Sequence, residues 1–223
     1  MSRHFDELLG DLRNKLLEMS GLVESAIRDS VHALEGSDDS NVQPVFKRET
    51  DVNRLELEID STVTNLLALE QPVAGDLRFI TAAGKINSNL ERIGDLAVNI
   101  AERSHSLLQH PHPGIRTDIP QLAELTESMV KRALEAFVEK DANAARAVLV
   151  SDDAIDDLRD SVFNDLIAQM KKDSQSVQAC VDLMFAARSL ERIADHATNI
   201  AEAVVFMIEG VEVRRHHTQV VSS

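Results

Sequence analysis

The sequence has no tryptophan, no tyrosine and only one cysteine, Cys180. Aromatic residues make up 3% of the chain and hydrophobic residues 43%, so the core must be built from aliphatic side chains. One cysteine excludes an intramolecular disulfide and favours a reducing compartment, and we expect Cys180 to be a small buried side chain. Eight glycines and five prolines are few for a sheet protein with many turns. These scarcities favour a helical protein.

Positive charge is scarce as well. Lysine and arginine total 23 against 38 aspartates and glutamates, which gives a formal net charge of −15. Nucleic-acid binding needs cations that neutralise phosphates, and an anionic membrane surface would repel this chain, so we expect neither partner. No stretch approaches the ~18 apolar residues of a membrane span, and the first residues carry no apolar signal core. We therefore expect a cytoplasmic protein without direct membrane insertion.

Apolar residues recur at steps of three and four along most of the chain, which is the period of an amphipathic helix. The breaks between these stretches predict six helices, ordered helix-helix-helix twice. Three long helices with short connections favour an antiparallel bundle. The sequence thus predicts an all-α fold with one three-helix bundle over residues 1–112, a second over residues 113–212, and a frayed tail at 213–223.

The helix boundaries follow from the same pattern. The first helix is expected to start near Phe5 and to run for about thirty residues. The second should cover about Val42–Leu69, and the third should carry the sequence from the Pro72 turn to the histidine- and proline-rich stretch near residue 110. In the second half we expect helices at about Ile119–Lys140, at about Asn143–Lys171 with Asp141 as a possible cap, and over a last stretch that ends at Gly210.

One segment of the predicted third helix occurs a second time in the second half of the chain. LERIGDLAVNIAE, which begins at Leu90, recurs 100 positions later as LERIADHATNIAE, which begins at Leu190. The copies differ only where Gly, Leu and Val in the first become Ala, His and Thr in the second. An internal duplication of a three-helix unit explains this repeat better than chance does.

The repeated segment places polar side chains along one stripe of a helix. Residues at i, i+4, i+8 and i+11 share a face at 100° per residue, and the apolar residues of the segment occupy another face. Carboxylates four residues apart repel each other, and i,i+3 pairs of Arg92 with Asp95 and Arg192 with Asp195 can relieve part of the repulsion. The stripe residues are Glu91, Asp95, Asn99 and Glu102 in the first copy, and Glu191, Asp195, Asn199 and Glu202 in the second.

The preceding helix of each half adds a second polar pair at the same four-residue spacing. Glu49 and Asn53 stand before the first copy, and Asp152 and Asp156 before the second; the distances along the chain differ by three residues, which the loop can absorb. If the helices are antiparallel, four oxygen ligands meet in each half. Such ligands suit Mg²⁺, Mn²⁺, Fe or Zn²⁺, so we expect two metal sites. The second site should bind more firmly because Asn53 replaces a carboxylate in the first.

Signals of catalysis are weak. The di-iron carboxylate pattern needs Glu-x-x-His on two helices, but only Glu102 with His105 fits, and Val205 stands at the matching place in the second copy. We expect His196 to have a surface or packing role, since it points away from the stripe. The sequence has no glycine-rich phosphate loop, no G-x-S-x-G elbow and no Cys/His nucleophile pair. We therefore expect no enzyme activity.

At these residues the sequence resembles the PhoU family of phosphate-transport accessory and signalling proteins. The resemblance is carried by LALEQPVAGDLRFI together with the two E-R-I-(G/A)-D segments, and it extends over about residues 3 to 210. It implies two repeated three-helix bundles, a homodimer, and metal clusters on the E/D-x-x-x-D motifs. The motif positions carry over onto Glu49, Asn53, Glu91 and Asp95, and onto Asp152, Asp156, Glu191 and Asp195. Asp76 and Arg78 match the family loop, with a role in capping or partner contact.

The resemblance also implies a function. It predicts a negative regulator of the phosphate-starvation response that modulates phosphate uptake and links the ATPase of a phosphate ABC transporter to a sensor histidine kinase. Two alternatives remain open at the level of sequence. One is an accessory of another phosphate carrier without kinase contact, and the other is a metal-dependent enzyme that uses the carboxylate clusters.

Overall fold

The computed structural model describes residues 3–35, 40, 42–109 and 117–213. The first half of the chain forms three long helices: α1 (Arg3–Glu35), α2 (Val42–Leu69) and α3 (Ala74–Leu108). The second half forms α4 (Ile119–Glu139), α5 (Ala142–Val150), α6 (Asp152–Lys172), a 3₁₀ turn (Ser174–Ser176) and α7 (Val177–Glu209). The predicted all-α fold of two repeated three-helix bundles is confirmed.

Aliphatic stripes hold the helices together, as the composition required. On α1 the fully buried side chains include Leu12, Leu16, Met19 and Val23, which follow steps of three and four and face α2 and α3. The same spacing buries aliphatic residues of every other long helix in one continuous core. Cys180 is buried, as predicted. At about 25 cal/mol per Å², burial of such stripes is the main stabilising term of the fold.

The centre of the molecule is the contact between α3 and α7, the two helices that carry the repeated segment. In the first bundle α3 packs against α1 and α2, and in the second α7 packs against α4, α5 and α6. Each of these helices also packs along the other, so the two bundles share one extended interface. We call this α3–α7 interface the seam.

One helix differs from its prediction. The expected helix at about Asn143–Lys171 is interrupted at Ser151, which separates α5 from α6. The hydroxyl of Ser151 donates to the carbonyl oxygen of Ala147 at 3.0 Å, a bond of the kind that competes with the helix ladder and bends helices. The predicted cap is confirmed, because the carboxylate of Asp141 accepts from the backbone amides of Asn143 and Ala144.

Some expectations fall outside the described residues. These are the connection after α1 apart from Ser40, the histidine- and proline-rich stretch at residues 110–116, and all of the predicted frayed tail except Val213. Within the described part of the chain, none of the helices is long and apolar enough to cross a membrane.

Candidate functional site

The first acidic cluster lies between α2 and α3. Glu91 and Asp95 are both partly exposed on α3, and the carboxylate of Glu56 on α2 lies close enough to act on Glu91. Burial raises the pKa of Glu91 above its usual value, and the negative charges of Asp95 and Glu56 raise it further. Arg92 opposes this, with Nη1 3.2 Å from Oδ2 of Asp95, which confirms the predicted i,i+3 pair. The carboxylates of this cluster therefore repel one another in the folded chain.

The second acidic cluster repeats the arrangement between α6 and α7. Burial raises the pKa of Glu191, and the carboxylates of Asp195 and Asp156 add to the effect. Arg159 on α6 lowers it, and its Nη2 lies 3.5 Å from Oδ1 of Asp156. The structure thus brings three of the four predicted residues of the second half, Asp156, Glu191 and Asp195, into one electrostatic group.

The remaining predicted residues of the preceding helices are placed differently. Asn53 is exposed and Glu49 is partly buried, whereas Asp152 is almost fully buried, at 2% exposure, in the first turn of α6. The carboxylate that acts on Glu91 from α2 is Glu56, which the sequence analysis missed. Glu56 thus gives the first cluster a carboxylate that the predicted contrast between the two clusters did not include.

A signal for Glu56 was present in the sequence. The offset of 100 residues that relates the two copies of the repeated segment also pairs Glu56 with Asp156. Burial follows the same offset, because Leu55 and Ile155 are buried, as are Leu66 and Leu166. Burial fits the three-residue shift of the predicted pairing as well, because Val52 and Ile155 are buried, as are Ile59 and Val162. The pairing of Asn53 with Asp156 therefore stays a prediction.

The four residues further along the stripe lie in two different environments. Asn99 and Glu102 are exposed on α3. Asn199 and Glu202 instead line a cleft along the seam, opposite residues of α3. The local periodicity of the helix placed all eight stripe residues near one face, but the neighbouring helices divide that face into two environments.

The oxygen ligands of both clusters have the chemistry that hard cations prefer. Among the described residues, however, no group of three or more His, Cys, Asp or Glu side chains is arranged as a formed metal site. Glu56, Glu91 and Asp95, or Asp156, Glu191 and Asp195, are the residues that would hold an ion by their charge. The two metal sites remain a prediction.

The start of α3 contacts the end of α7. Nε of Arg78 donates to the carbonyl oxygen of Met207 at 3.3 Å, in the last turn of α7, where the helix dipole favours a cation. The side chain of Arg78 also packs against Gly210, whose φ of 73° closes the helix in the left-handed conformation. Arg78 therefore caps the last helix of the second bundle and ties the start of α3 to the end of α7.

His196 has a packing role in the seam. Its Nδ1 donates to Oδ1 of Asn89 on α3 at 2.9 Å. Burial lowers the pKa of His196 below its usual value, and the guanidinium groups of Arg192 and Arg92 lower it further. A neutral imidazole thus joins the two bundles.

Comparison with known proteins agrees with this geometry. The family model described as the PhoU domain matches residues 16–104 and again residues 119–204. A Pseudomonas aeruginosa protein named as a phosphate-specific transport system accessory protein PhoU homolog is 36% identical over 96% of this chain and 89% of its own length. A Clostridium acetobutylicum protein with the same name is 35% identical over 94% of this chain and 96% of its own length.

Solved structures give the same result. The crystal structure of PhoU from Pseudomonas aeruginosa superposes with a TM-score of 0.89 at 36% identity, covering 93% of this chain and 100% of that chain. The phosphate transport system regulatory protein PhoU from Streptococcus pneumoniae superposes with a TM-score of 0.85 at 28% identity, covering 94% and 99%. On its sequence, its internal repeat and its fold, the chain belongs to the PhoU family.

Proposed function

We propose that this protein is an accessory regulator of a phosphate transport system that represses the phosphate-starvation response when phosphate is plentiful. It acts as an adaptor between the ATPase of a phosphate ABC transporter and a sensor histidine kinase, and it is not an enzyme. The observation that carries the proposal is the double match to the PhoU domain, together with relatives named as accessory proteins of phosphate-specific transport.

The surface chemistry supports an adaptor role. Leu69, Val73 and Leu77, in and around the turn before α3, expose 75%, 66% and 42% of their surface, and Val211 beyond α7 exposes 51%. Arg78 holds the start of α3, which follows this turn, against the end of α7. Exposed aliphatic side chains on a braced turn suit contact with another protein.

The proposal is tested by deletion of the gene and measurement of alkaline phosphatase activity in cells given ample phosphate. High activity is expected, because the repressing signal is lost. Low activity with altered phosphate uptake would favour an accessory of another phosphate carrier. Low activity with unaltered uptake would contradict a role in phosphate regulation.

The proposal includes a divalent or trivalent metal ion, Fe, Zn, Mn or Mg, at each acidic cluster. The raised pKa values of Glu91 and Glu191 support it, since they come from burial first and from neighbouring carboxylates second, and a bound cation would offset both. Because Glu56 gives the first cluster a third carboxylate, we propose similar metal affinities at the two clusters.

Elemental analysis of protein purified without chelator tests the metal sites. The double variants Glu91→Ala/Asp95→Ala and Glu191→Ala/Asp195→Ala should each lose about half of the bound metal. Protein that binds no metal even after reloading would remove the metal from the proposal and leave the regulatory role to the deletion experiment.

The proposal also places the protein in the cytoplasm as a homodimer. The chain has a mass of 24.6 kDa, so light scattering coupled to size-exclusion chromatography should give about twice that value. A mass equal to one chain over the micromolar range would exclude the dimer.

A further inference from the structure

The turn between α2 and α3 presents apolar side chains to solvent. It comprises residues 70–73, and the side chains of Leu69 and Val73 are among the four most exposed large hydrophobic groups of the described residues. Neither side chain belongs to the hydrophobic core. Because exposed aliphatic groups gain nothing from the hydrophobic effect, they do not stabilise the isolated chain.

The backbone of this turn is strained as well. Gln71 and Ala74 adopt φ of 49° and 47°, in the left-handed region that residues with a side chain rarely occupy. Val73 stands at the N-cap of α3, and its side chain makes no hydrogen bond to the first amides of the helix. The unfavourable backbone conformations and the uncapped helix both lower the stability of the folded chain.

The second half of the chain forms the equivalent turn with polar residues. At the offset of 100 residues that relates α3 to α7, the counterpart of Val73 is Asp173, whose carboxylate accepts from a backbone amide two residues further on at 2.9 Å. Leu69 corresponds to Gln169 at the same offset, or to Lys172 if the loop absorbs three residues, and both are polar. The fold thus accommodates a polar, capped turn at this place, so folding does not require the apolar turn of the first half.

Contacts with the second bundle fix the start of α3, which follows the turn. Arg78 donates from Nε to the carbonyl oxygen of Met207 and packs against Gly210. Its counterpart, Gln178, bonds instead within its own helix, with Nε2 3.4 Å from Oδ2 of Asp182. A surface that is already held in one conformation loses little conformational entropy when a partner binds. The contacts of Arg78 therefore favour a preformed docking surface.

The charge of this segment restricts the kind of partner. Residues 55–77 contain five carboxylates and no lysine, arginine or histidine. A partner that covers Leu69 and Val73 needs an apolar groove, and basic side chains along the border of the groove would complement Glu70 and Asp76. A second copy of this chain is disfavoured as the occupant, since it would bring a further net charge of −15 to an acidic segment.

We propose that this turn docks into an apolar groove, bordered by basic side chains, on the ATPase of the phosphate transporter. Leu69 and Val73 enter the groove, and Glu70 and Asp76 contact its border. The inference rests on the proposed function. It selects the ATPase over the kinase because the relatives are named as accessory proteins of phosphate-specific transport.

The test is a calorimetric titration of the full-length protein with the purified ATPase subunit of the transporter. Leu69→Ser should weaken binding by about tenfold, because it removes most of the apolar surface that this side chain buries in the groove. Leu57→Ser is the matched control and should bind like the wild type. Leu57 lies on the same helix and exposes 68% of its surface, against 75% for Leu69.

Val73→Asp separates docking from a structural role. It installs the residue of the second-half turn, whose carboxylate can accept bonds from the first amides of α3, so it should raise the urea midpoint of the protein. The same change places a charge in the groove and should weaken binding of the ATPase by about tenfold. A residue that only supported the fold would not lose binding while the stability of the protein rises.

Equal affinities of the wild type, Leu69→Ser and Val73→Asp would overturn this inference and leave the proposed function standing. Equal losses in Leu57→Ser and Leu69→Ser would overturn it as well. An ATPase that does not bind the wild type would also overturn it, and the deletion experiment would then decide the proposed function separately. If Leu69→Ser lowers the mass of the protein alone in light scattering, the turn is a contact between copies of this chain and the ATPase contact is overturned.

Discussion

At the scale of single residues, the carboxylates of the repeated segment repel one another and so destabilise the folded state. Glu91 and Glu191 each face an aspartate four residues along the helix and a further carboxylate from the neighbouring helix. Like charges at this spacing destabilise a helix by about 0.2–0.5 kcal/mol per pair. Arginines offset part of this, but the folded state still binds protons more readily at both glutamates than the unfolded state does.

This repulsion predicts that Glu191→Gln stabilises the metal-free protein at neutral pH, by about 0.2–0.5 kcal/mol for the pair with Asp195. The folded pKa of Glu191 is raised above the unfolded value of 4.5, so its charge costs stability once the pH exceeds the folded pKa. The gain should therefore vanish below pH 4.5. Urea unfolding in the presence of chelator measures it, with Glu124→Gln on the exposed side of α4 as the control. A loss of stability at pH 7 would contradict the electrostatic account.

His196 makes a second pH-dependent contribution, of opposite kind. Its folded pKa is lowered below 6.5, so the unfolded state binds more protons and stability falls as the pH drops from 6.5 through the folded pKa. A single linked proton contributes at most about 1.4 kcal/mol per pH unit. His196→Leu, which installs the residue found at position 96, should flatten the pH dependence of the free energy of unfolding between pH 7 and pH 5. Equal slopes in the two proteins would show that His196 does not titrate in this way.

At the scale of helices, sequence periodicity predicted most of the architecture. The bounds expected for the second helix, about Val42–Leu69, are those of α2. The predicted fourth and sixth helices correspond to α4 and α7, and both end within one residue of their predicted ends. These boundaries were predictable because glycine, proline and capping residues mark them. The break at Ser151 was not, since no proline or glycine marks it, and the interruption depends on a serine hydroxyl that bonds back to the preceding turn.

The start of α5 gives a prediction at this scale. Asp141→Ala removes the acceptor of two backbone amides at the first turn of a nine-residue helix and should cost about 1 kcal/mol in the free energy of unfolding. Asp141→Asn is the matched control, because an asparagine side chain accepts the same bonds, and it should stay close to the wild type. Chemical denaturation of the three proteins measures the difference. If alanine and asparagine cost the same, the cap does not stabilise α5.

The candidate site was predictable only in part, because contacts between helices do not follow from the pattern of a single helix. Glu91, Asp95, Glu191 and Asp195 could be placed together because spacing along one helix fixes them. Glu56 depends on the register between α2 and α3, which local periodicity does not determine. The partners of His196 and Asp182 across the seam depend on how the two bundles pack and were likewise beyond a single-helix argument.

At the scale of the whole molecule, duplication explains both what is shared and what has diverged. Both halves keep an acidic cluster between the last helix and the one before it, and both contribute their last helix to the seam. The seam ends have diverged, with a filled end at Arg103 and Asp182 and a cleft beside Ala203. The acidic clusters therefore form a repeated feature, whereas the side chains at the two ends of the seam are not repeated.

The central claim is that the protein represses the phosphate-starvation response through its acidic clusters. The most direct measurement is alkaline phosphatase activity, under ample phosphate, in a deletion strain that carries either the wild-type gene or the variant Glu91→Ala/Asp95→Ala/Glu191→Ala/Asp195→Ala. The account predicts low activity with the wild type and high activity with the variant, at equal protein levels. Full repression by the variant would contradict a role for the clusters, and failure of the wild-type gene to lower the activity would contradict the regulatory function itself.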